Sequence, residues 1–350
     1  MENLRIEPIW SDSMGAKSMS TFVETPDTKL IIDPGAAIMQ PSFPFPSEMK
    51  MRWLMLARAE VCRASKNADI VVITHYHYDH FVDFDPDLYR GKLILTKNPN
   101  EYINLSQRRR AESFLDKICL EFGNINLSSI LEEGGGEKNY ADPINELPLS
   151  TAIDLGTYNE RRRKILEKGS ERFKRLADLW NNLPKIPEIK FNDIEVRFPE
   201  EREFNLNKTR IRFTKPMFHG IEYSQVGWVF SVIIEYKHEK FLYSSDLSGP
   251  VIEDYAKFII DENPNFLIID GPPTYLFPYM FNMINLNRSI SNLCDMIENL
   301  DSEVIILDHH LLRDRRYKEI LSDVYETADK KDKNLLTFAE YLGRKPVLLR

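Results

Sequence analysis

The sequence predicts a layered α/β protein. Short apolar runs rich in β-branched residues recur along the chain, at 29–32, 70–73, 266–269 and 303–307 among others, as buried strands require. Charged segments with apolar residues at helical spacing lie between groups of these strands. Several strands end in histidine or aspartate. Because ligand sites in layered α/β folds lie where buried strands end, we expect the functional site at these polar ends.

Composition limits the class of protein. The chain has 350 residues, of which 43% are hydrophobic, enough for one large domain or two modest ones. Its net charge of −8 argues against a general surface for nucleic acid. It has no apolar run of about 18 residues and no signal-peptide pattern at its start, so we expect neither a membrane span nor export. Cys62, Cys119 and Cys294 are far apart in the sequence and form no C-x-x-C motif, which is typical of a cytoplasmic protein.

The N-terminal part reads as the start of a sheet. Strands are expected at 4–10 and 20–25, followed by a third at 29–32 that ends in Asp33-Pro34-Gly35. Alone, Asp33 would be a turn or capping residue. A helix is expected over 47–67, since its apolar residues recur at helical spacing.

The most concentrated group of potentially functional side chains follows the strand predicted at 68–73. Three histidines and one aspartate lie within His75-Tyr76-His77-Tyr78-Asp79-His80. In an extended chain, positions two apart point to the same side, so His75 and His77 converge on one point. Asp79 and His80 come after the strand and can reach a second point nearby. Imidazole nitrogens and carboxylate oxygens suit Zn²⁺, Fe and Mn²⁺.

A long segment interrupts the strand pattern after a strand at 93–96. Residues 98–187 are predicted to be a largely helical insertion, with helices within 100–122 and 157–183, that caps the site. Its basic runs at 108–110 and 161–164 allow two interpretations. They are either an anion clamp or, preferably, solvated helix faces balanced by nearby glutamates.

Strands return from residue 194 and place further candidates at their ends. Strands are expected at 194–198, 211–213, 228–235, 240–243, 266–270 and 303–308, with a helix at 288–299. His219 follows one of them, and Asp246 follows the hairpin formed by 228–235 and 240–243. His309 and His310 follow the last strand. His238 lies in the hairpin turn, where we expect it to be exposed.

The motif from His75 to His80 resembles the metal-binding signature of the metallo-β-lactamase superfamily, and the other polar strand ends occur in the order that this family requires. The resemblance covers roughly 4–96 and 190–320. It implies one domain over 1–350, built as an αββα four-layer sandwich with the insertion at 98–187. It implies one metal on His75, His77 and His219 and a second on Asp79, His80 and His309. Asp246 would bridge the metals, Asp33 would orient a ligand histidine, and His310 is the alternative to His309.

What the resemblance implies for function is a binuclear metal-dependent hydrolase. Two divalent cations, zinc before Mn²⁺ or Fe²⁺, would hold a hydroxide that attacks a phosphodiester, ester or lactone of a small anionic substrate. Asp79 or a protonated histidine would assist the leaving group. The sequence is similar to a largely archaeal branch of the superfamily. Two alternatives stay open: a non-catalytic binding or regulatory module, and a mononuclear iron dioxygenase in which Asp79 and His80 bind no metal. The oligomeric state is not predicted.

Overall fold

The computed structural model describes residues 2–349 and contains two seven-stranded mixed sheets. In the first sheet the strands run in the order β1-β2-β3-β4-β5-β7-β6, with β3, β4, β5 and β7 parallel. Its strands are β1 (Arg5–Ser11), β2 (Met19–Glu24), β3 (Lys29–Ile32), β4 (Ile70–Ile73), β5 (Lys92–Thr96), β6 (Ile189–Phe191) and β7 (Ile194–Arg197).

The second sheet has the order β16-β15-β14-β13-β12-β9-β8, with β13 to β16 parallel. A separate two-stranded ladder joins β10 to β11. These strands are β8 (Glu203–Leu206), β9 (Thr209–Phe213), β10 (Met217–Phe218), β11 (Trp228–Val229), β12 (Val232–Tyr236), β13 (Glu239–Tyr243), β14 (Phe266–Asp270), β15 (Val304–Asp308) and β16 (Leu335–Leu336).

The two sheets pack face to face because both faces of their central strands are apolar. Ile70 and Val72 of β4 share one buried cluster with Ile234 of β12 and Ile268 of β14. The alternate residues of β4 point the other way and pack against helices. A strand that is buried on both faces is what a sheet inside a layered fold requires.

Helices cover both outer faces, which completes an αββα sandwich, as predicted. Helices α1 and α3 pack on the first sheet, whereas α6, α7 and α9 pack on the second. The helices are α1 (Ser47–Ser65), α2 (Pro86–Tyr89), α3 (Leu105–Ile118), α4 (Pro148–Ala152), α5 (Asn159–Asn182), α6 (Glu253–Glu262), α7 (Met283–Asn299), α8 (Tyr317–Ile320), α9 (Ser322–Lys330) and α10 (Phe338–Tyr341). Within residues 2–349, no helix combines the length and apolarity needed to cross a membrane.

The strand predicted at 228–235 is wrong as a single element. It is broken after Val229, and β12 begins at Val232. The backbone N–H of Ser231 donates to Thr214 Oγ1 at 2.9 Å, and its hydroxyl donates to the Ser244 carbonyl at 2.8 Å. The chain therefore leaves the ladder with β10 and joins β9 in the large sheet. The hairpin of β12 and β13 is present, with Tyr236 opposite Glu239.

The residues between β5 and β6 carry the helices α3, α4 and α5 outside the sheet order. Because β5 pairs directly with β7, the first sheet is continuous around this segment. The basic runs have mixed roles. Arg163 and Lys164 lie on an exposed face and pair with glutamates four residues away. Arg108 is buried and donates to the carbonyls of Pro99 and Pro184. Arg162 is also buried and pairs with Glu222 at 2.8 Å.

Candidate metal centre

The predicted site residues meet where strands of both sheets end. The motif from His75 to His80 follows β4, and the remaining residues follow four further strands: Asp33 after β3, His219 after β10, Asp246 after β13, and His309 and His310 after β15. Within residues 2–349, these side chains form overlapping groups of histidine and aspartate whose potential ligand atoms lie within 4.8 Å of one another.

The first group surrounds one oxygen of Asp246. Asp246 Oδ2 lies 3.1 Å from His219 Nε2 and 3.5 Å from His75 Nε2. His75 Nε2 lies 2.9 Å from His77 Nδ1. Burial and the neighbouring His80 lower the pKa of His75 well below its usual value, and burial with His219 lowers that of His77 to about 3. Both rings therefore stay unprotonated at neutral pH and offer lone pairs to a cation.

The second group surrounds the other oxygen of Asp246. Asp246 Oδ1 lies 3.2 Å from His80 Nε2 and 3.5 Å from His309 Nε2. His309 Nε2 also lies 3.4 Å from His80 Nε2 and 3.8 Å from Asp79 Oδ2. One carboxylate thus faces two sets of ligand atoms, one through each oxygen.

The donor atoms fit divalent cations. In a tetrahedral site with metal–nitrogen distances of about 2.0–2.1 Å, ligand atoms lie roughly 3.3 Å apart, which matches the spacings above. His219 Nε2 and Asp246 Oδ1 are buried without a well-formed hydrogen bond among residues 2–349, as expected of atoms that ligate a metal. Burial would lower the pKa of His80, but Asp246 and Asp33 raise it to about 10. The raised pKa indicates a negative electrostatic potential around His80, which favours the binding of cations.

Asp33 lies behind the second group, in the position expected of an orienting residue. Its Oδ2 accepts from the Thr74 and Tyr243 hydroxyls at 2.7 and 2.8 Å, and it lies 2.8 Å from His80 Nδ1. These bonds fix the ring so that Nε2 faces Asp246. Gly35 lies against the motif, because a Cβ there would come within 2.4 Å of the backbone nitrogens of Phe81 and His80. A larger residue would push the loop of Asp33 away.

Asp12 has the same function for His309 and was not predicted from the sequence. Its Oδ1 lies 2.8 Å from His309 Nδ1, and its Oδ2 accepts from Arg313 Nε at 2.5 Å. Burial raises the pKa of Asp12, but Arg313 and His309 outweigh burial and lower it. Arg313 is itself buried and lies 3.4 Å from Asp79 Oδ2. Asp12 therefore holds both the His309 ring and the Arg313 guanidinium in place beside the second group.

Replacing Asp12 with asparagine should lower the affinity for one cation more than the affinity for the other. The variant loses the charge that orients His309 and balances Arg313, so we expect the affinity for a cation at the second group to fall about 10–100-fold. Chelator competition with zinc on the metal-free protein measures both affinities. Asp69→Asn, which changes an exposed carboxylate bonded to the Lys29 amide, is the matched control. Equal affinities in wild type and Asp12→Asn would contradict this function.

The two adjacent histidines have different partners. His309 lies within the second group, whereas His310 Nδ1 lies 2.9 Å from both oxygens of Asp270. Burial, Arg313 and His309 lower the pKa of His310 well below its usual value, so the ring is neutral. Its ligand atom is still within 4.8 Å of those of Asp246 and His309. However, the ring also borders a cavity beside the cluster, where it can contact a bound molecule.

The segment between β5 and β6 reaches the cluster through Gln107. Its Nε2 lies 3.4 Å from His77 Nε2 and donates to the Val226 carbonyl at 2.6 Å. Its Oε1 accepts from the Tyr76 amide at 3.1 Å. The direction of Gln107 depends on how α3 packs, which local sequence does not specify.

A family model matches the N-terminal part of the chain. Residues 15–86 match the family model of the metallo-beta-lactamase superfamily. Among solved structures, the metallo-beta-lactamase fold protein YhfI from Bacillus subtilis aligns over 96% of both chains, with a TM-score of 0.43 and 10% identity. Likeness at this level carries no information about activity.

Curated relatives match over nearly the full length. The UPF0282 protein of Methanopyrus kandleri is 30% identical over 359 aligned positions, which cover 99% of this chain and 96% of the relative. The UPF0282 protein of Korarchaeum cryptofilum is 30% identical over 343 positions, covering 97% and 90% of the two chains. The chain therefore belongs to the UPF0282 family, a largely archaeal branch of the metallo-β-lactamase superfamily.

Proposed function

We propose that the protein is a hydrolase that depends on two divalent cations, zinc before manganese or iron. The observation that carries this proposal is the position of Asp246. Its two oxygens face two different sets of ligand atoms, His75 and His219 on one side and His80 and His309 on the other. A carboxylate shared in this way suits a pair of cations.

Each residue then has a specific function. The first cation would be held by His75, His77 and His219, the second by Asp79, His80 and His309, and Asp246 would contribute one oxygen to each. When bound, such a pair supplies an activated water nucleophile and stabilises negative charge in the transition state. Around this centre, Asp33 and Asp12 hold the rings of His80 and His309 in place.

The surrounding side chains support a small anionic substrate. Arg313 lies beside Asp79, and its guanidinium compensates for part of the negative charge of the carboxylates. His310 borders the cavity and is held by Asp270, so its ring can contact a bound substrate. An iron dioxygenase with one metal requires Asp79 and His80 to stand outside the ligand set. The contacts of His80 with Asp246 favour the two-metal arrangement instead.

The proposal is tested by metal content and hydrolysis on the same full-length preparation. Elemental mass spectrometry should give about two equivalents of zinc or manganese per chain. The loaded protein should hydrolyse bis(p-nitrophenyl) phosphate, p-nitrophenyl esters or a lactone, and lose that activity on chelation. One equivalent of iron, or two cations with no hydrolysis of any of these substrates, would overturn it.

His310→Gln should separate substrate contact from metal binding. We expect the variant to keep about two cations, because the first and second groups are complete without it, while kcat/KM falls about tenfold through loss of the contact between the His310 ring and the substrate. The control is His238→Gln, which changes the exposed histidine of the β12–β13 turn. Loss of a cation in His310→Gln would show that His310 is a ligand instead.

A further inference from the structure

A cavity of ≈ 700 Å³ begins at the metal centre and opens to the surface. His219 and His310 border its inner end. Helix α5 forms one wall, and the loop that follows β14, residues 273–281, forms another. This volume lies in the range of small-molecule sites, which are usually apolar cavities with a few polar groups at one end.

The walls away from the histidines are mainly apolar. The apolar side chains that line them come from three segments that are distant in sequence: Ile165, Ile221, Val226, Leu276, Met280 and Phe281. Two of these residues are also exposed to solvent, Met280 at 80% and Ile165 of α5 at 42%. Large apolar side chains exposed together in a cavity lining indicate a surface that contacts an apolar ligand.

The wall formed by α5 is fixed to the loop that carries His219. Gly169 of α5 packs so closely on Tyr223 that a Cβ would come within 2.3 Å of its ring. Arg172 donates to the Tyr223 carbonyl, and Arg162 pairs with Glu222. The cavity is therefore preformed, and its apolar wall keeps a constant position relative to the metal ligands. A ligand held by this wall would reach the histidines in one orientation.

We propose that the substrate is an amphiphile, with its hydrolysable polar group at the metal centre and an apolar chain along α5 and the loop 273–281. This proposal rests on the proposed hydrolase function and names its substrate class. The lining contains two lysine or arginine side chains, Lys168 and Arg172. A phosphate backbone would require a row of such cations, whereas the apolar walls suit an alkyl or acyl chain.

The test compares chain lengths on the metal-loaded full chain. Two series of probes are used, p-nitrophenyl esters of acetate, butyrate and octanoate, and methyl, butyl and octyl p-nitrophenyl phosphodiesters. We expect kcat/KM to rise at least about tenfold from the shortest to the longest member of the series that is hydrolysed, because each buried methylene favours binding about fourfold. Calorimetry with methylphosphonate and octylphosphonate measures binding independently of turnover, with the same expected ratio.

Variants locate the effect. Ile165→Ser and Met280→Ser should each reduce the chain-length ratio at least about threefold, through a lower kcat/KM for the longest probe. The matched control is Met55→Ser, which removes an exposed methionine (66% against 80% for Met280) from α1, outside the cavity lining. A ratio that falls equally in Met55→Ser would overturn the assignment of the cavity.

The outcomes distinguish the substrate class from the hydrolase function. Hydrolysis with equal kcat/KM for short and long chains overturns the amphiphile and leaves the hydrolase. No hydrolysis, but tenfold tighter binding of octylphosphonate, overturns the hydrolase and supports an apolar ligand in this cavity. No hydrolysis with equal binding of both phosphonates overturns both proposals.

Discussion

Replacing Asp246 with alanine should release both cations and abolish hydrolysis. Each cation loses one carboxylate oxygen in this variant, because the two oxygens face different groups. Removing an outer residue that merely orients a ligand lowers metal affinity about 10–100-fold, so loss of a shared ligand should lower the affinity for each cation by more than about 100-fold. Metal content should then fall from about two equivalents to less than one after dialysis.

Asp246→Asn and Asp261→Ala make this expectation specific. The asparagine keeps the shape of the side chain but removes the negative charge that attracts both cations, so we expect metal loss close to that of the alanine variant. Asp261 is exposed on α6 and pairs with Lys257, and its removal should change neither metal content nor rate. Elemental mass spectrometry and circular dichroism on the same samples separate metal loss from unfolding. A variant at Asp246 that retains two cations would exclude a shared carboxylate.

The clustering of the candidate ligands was predictable because most of them follow an apolar strand, and the ends of such strands can be recognised in the local sequence. His75, Asp246 and His309 follow this rule, whereas His219 follows the two-residue strand β10, which was not predicted. The αββα order came from a resemblance to a family, since local patterns do not specify which strands pair. The break after Val229 was not predicted, because the apolar run continues through it. What ends the strand is a hydrogen bond from Ser231 to Thr214, which is a tertiary contact.

Residues that position the ligands were harder to predict. Asp12 lies in a short 3-10 turn after β1 and meets His309 across a sequence separation of 297 residues. An isolated aspartate after a strand has a turn or capping function by default, so no local signal distinguishes it. Arg162 was equally hard to predict. Four consecutive basic residues predict a solvated helix face, but one residue in each turn of the helix must face inward. Only the packing of α5 shows which one it is.

That inward residue belongs to a buried ionic cluster that fixes the cavity wall. Glu222 Oε1 accepts from Arg162 at 2.8 Å and from Arg288 at 2.6 Å, and it also accepts from the Ser150 hydroxyl. Arg288 also pairs with Glu253 at 2.7 Å. Glu222 follows His219 by three residues, so the same contacts that hold α5 and α7 together also hold the loop of this candidate ligand.

Glu222→Gln should destabilise the protein by about 3–5 kcal/mol, because removing one partner of a buried ion pair leaves the other charge uncompensated. Chemical denaturation of the chelated protein measures this without a contribution from metal binding. Glu167→Gln removes an exposed partner of Arg163 on the same helix and should change the free energy of unfolding by less than about 1 kcal/mol. Equal values for the two variants would show that the cluster contributes no more than a surface pair.

The pH dependence of this difference tests whether the charge of Glu222 is the cause. Burial would raise the pKa of Glu222, but Arg288, Ser150 and Arg162 outweigh burial and lower it from 4.5 to about 2. A carboxyl group whose folded pKa is depressed contributes stability above its unfolded pKa and loses it as pH falls through the folded value. The difference in unfolding free energy between wild type and Glu222→Gln should therefore be constant above about pH 4.5 and shrink between about pH 4.5 and 2. A difference that persists undiminished to pH 2 would assign the destabilisation to packing of the amide rather than to the buried charge.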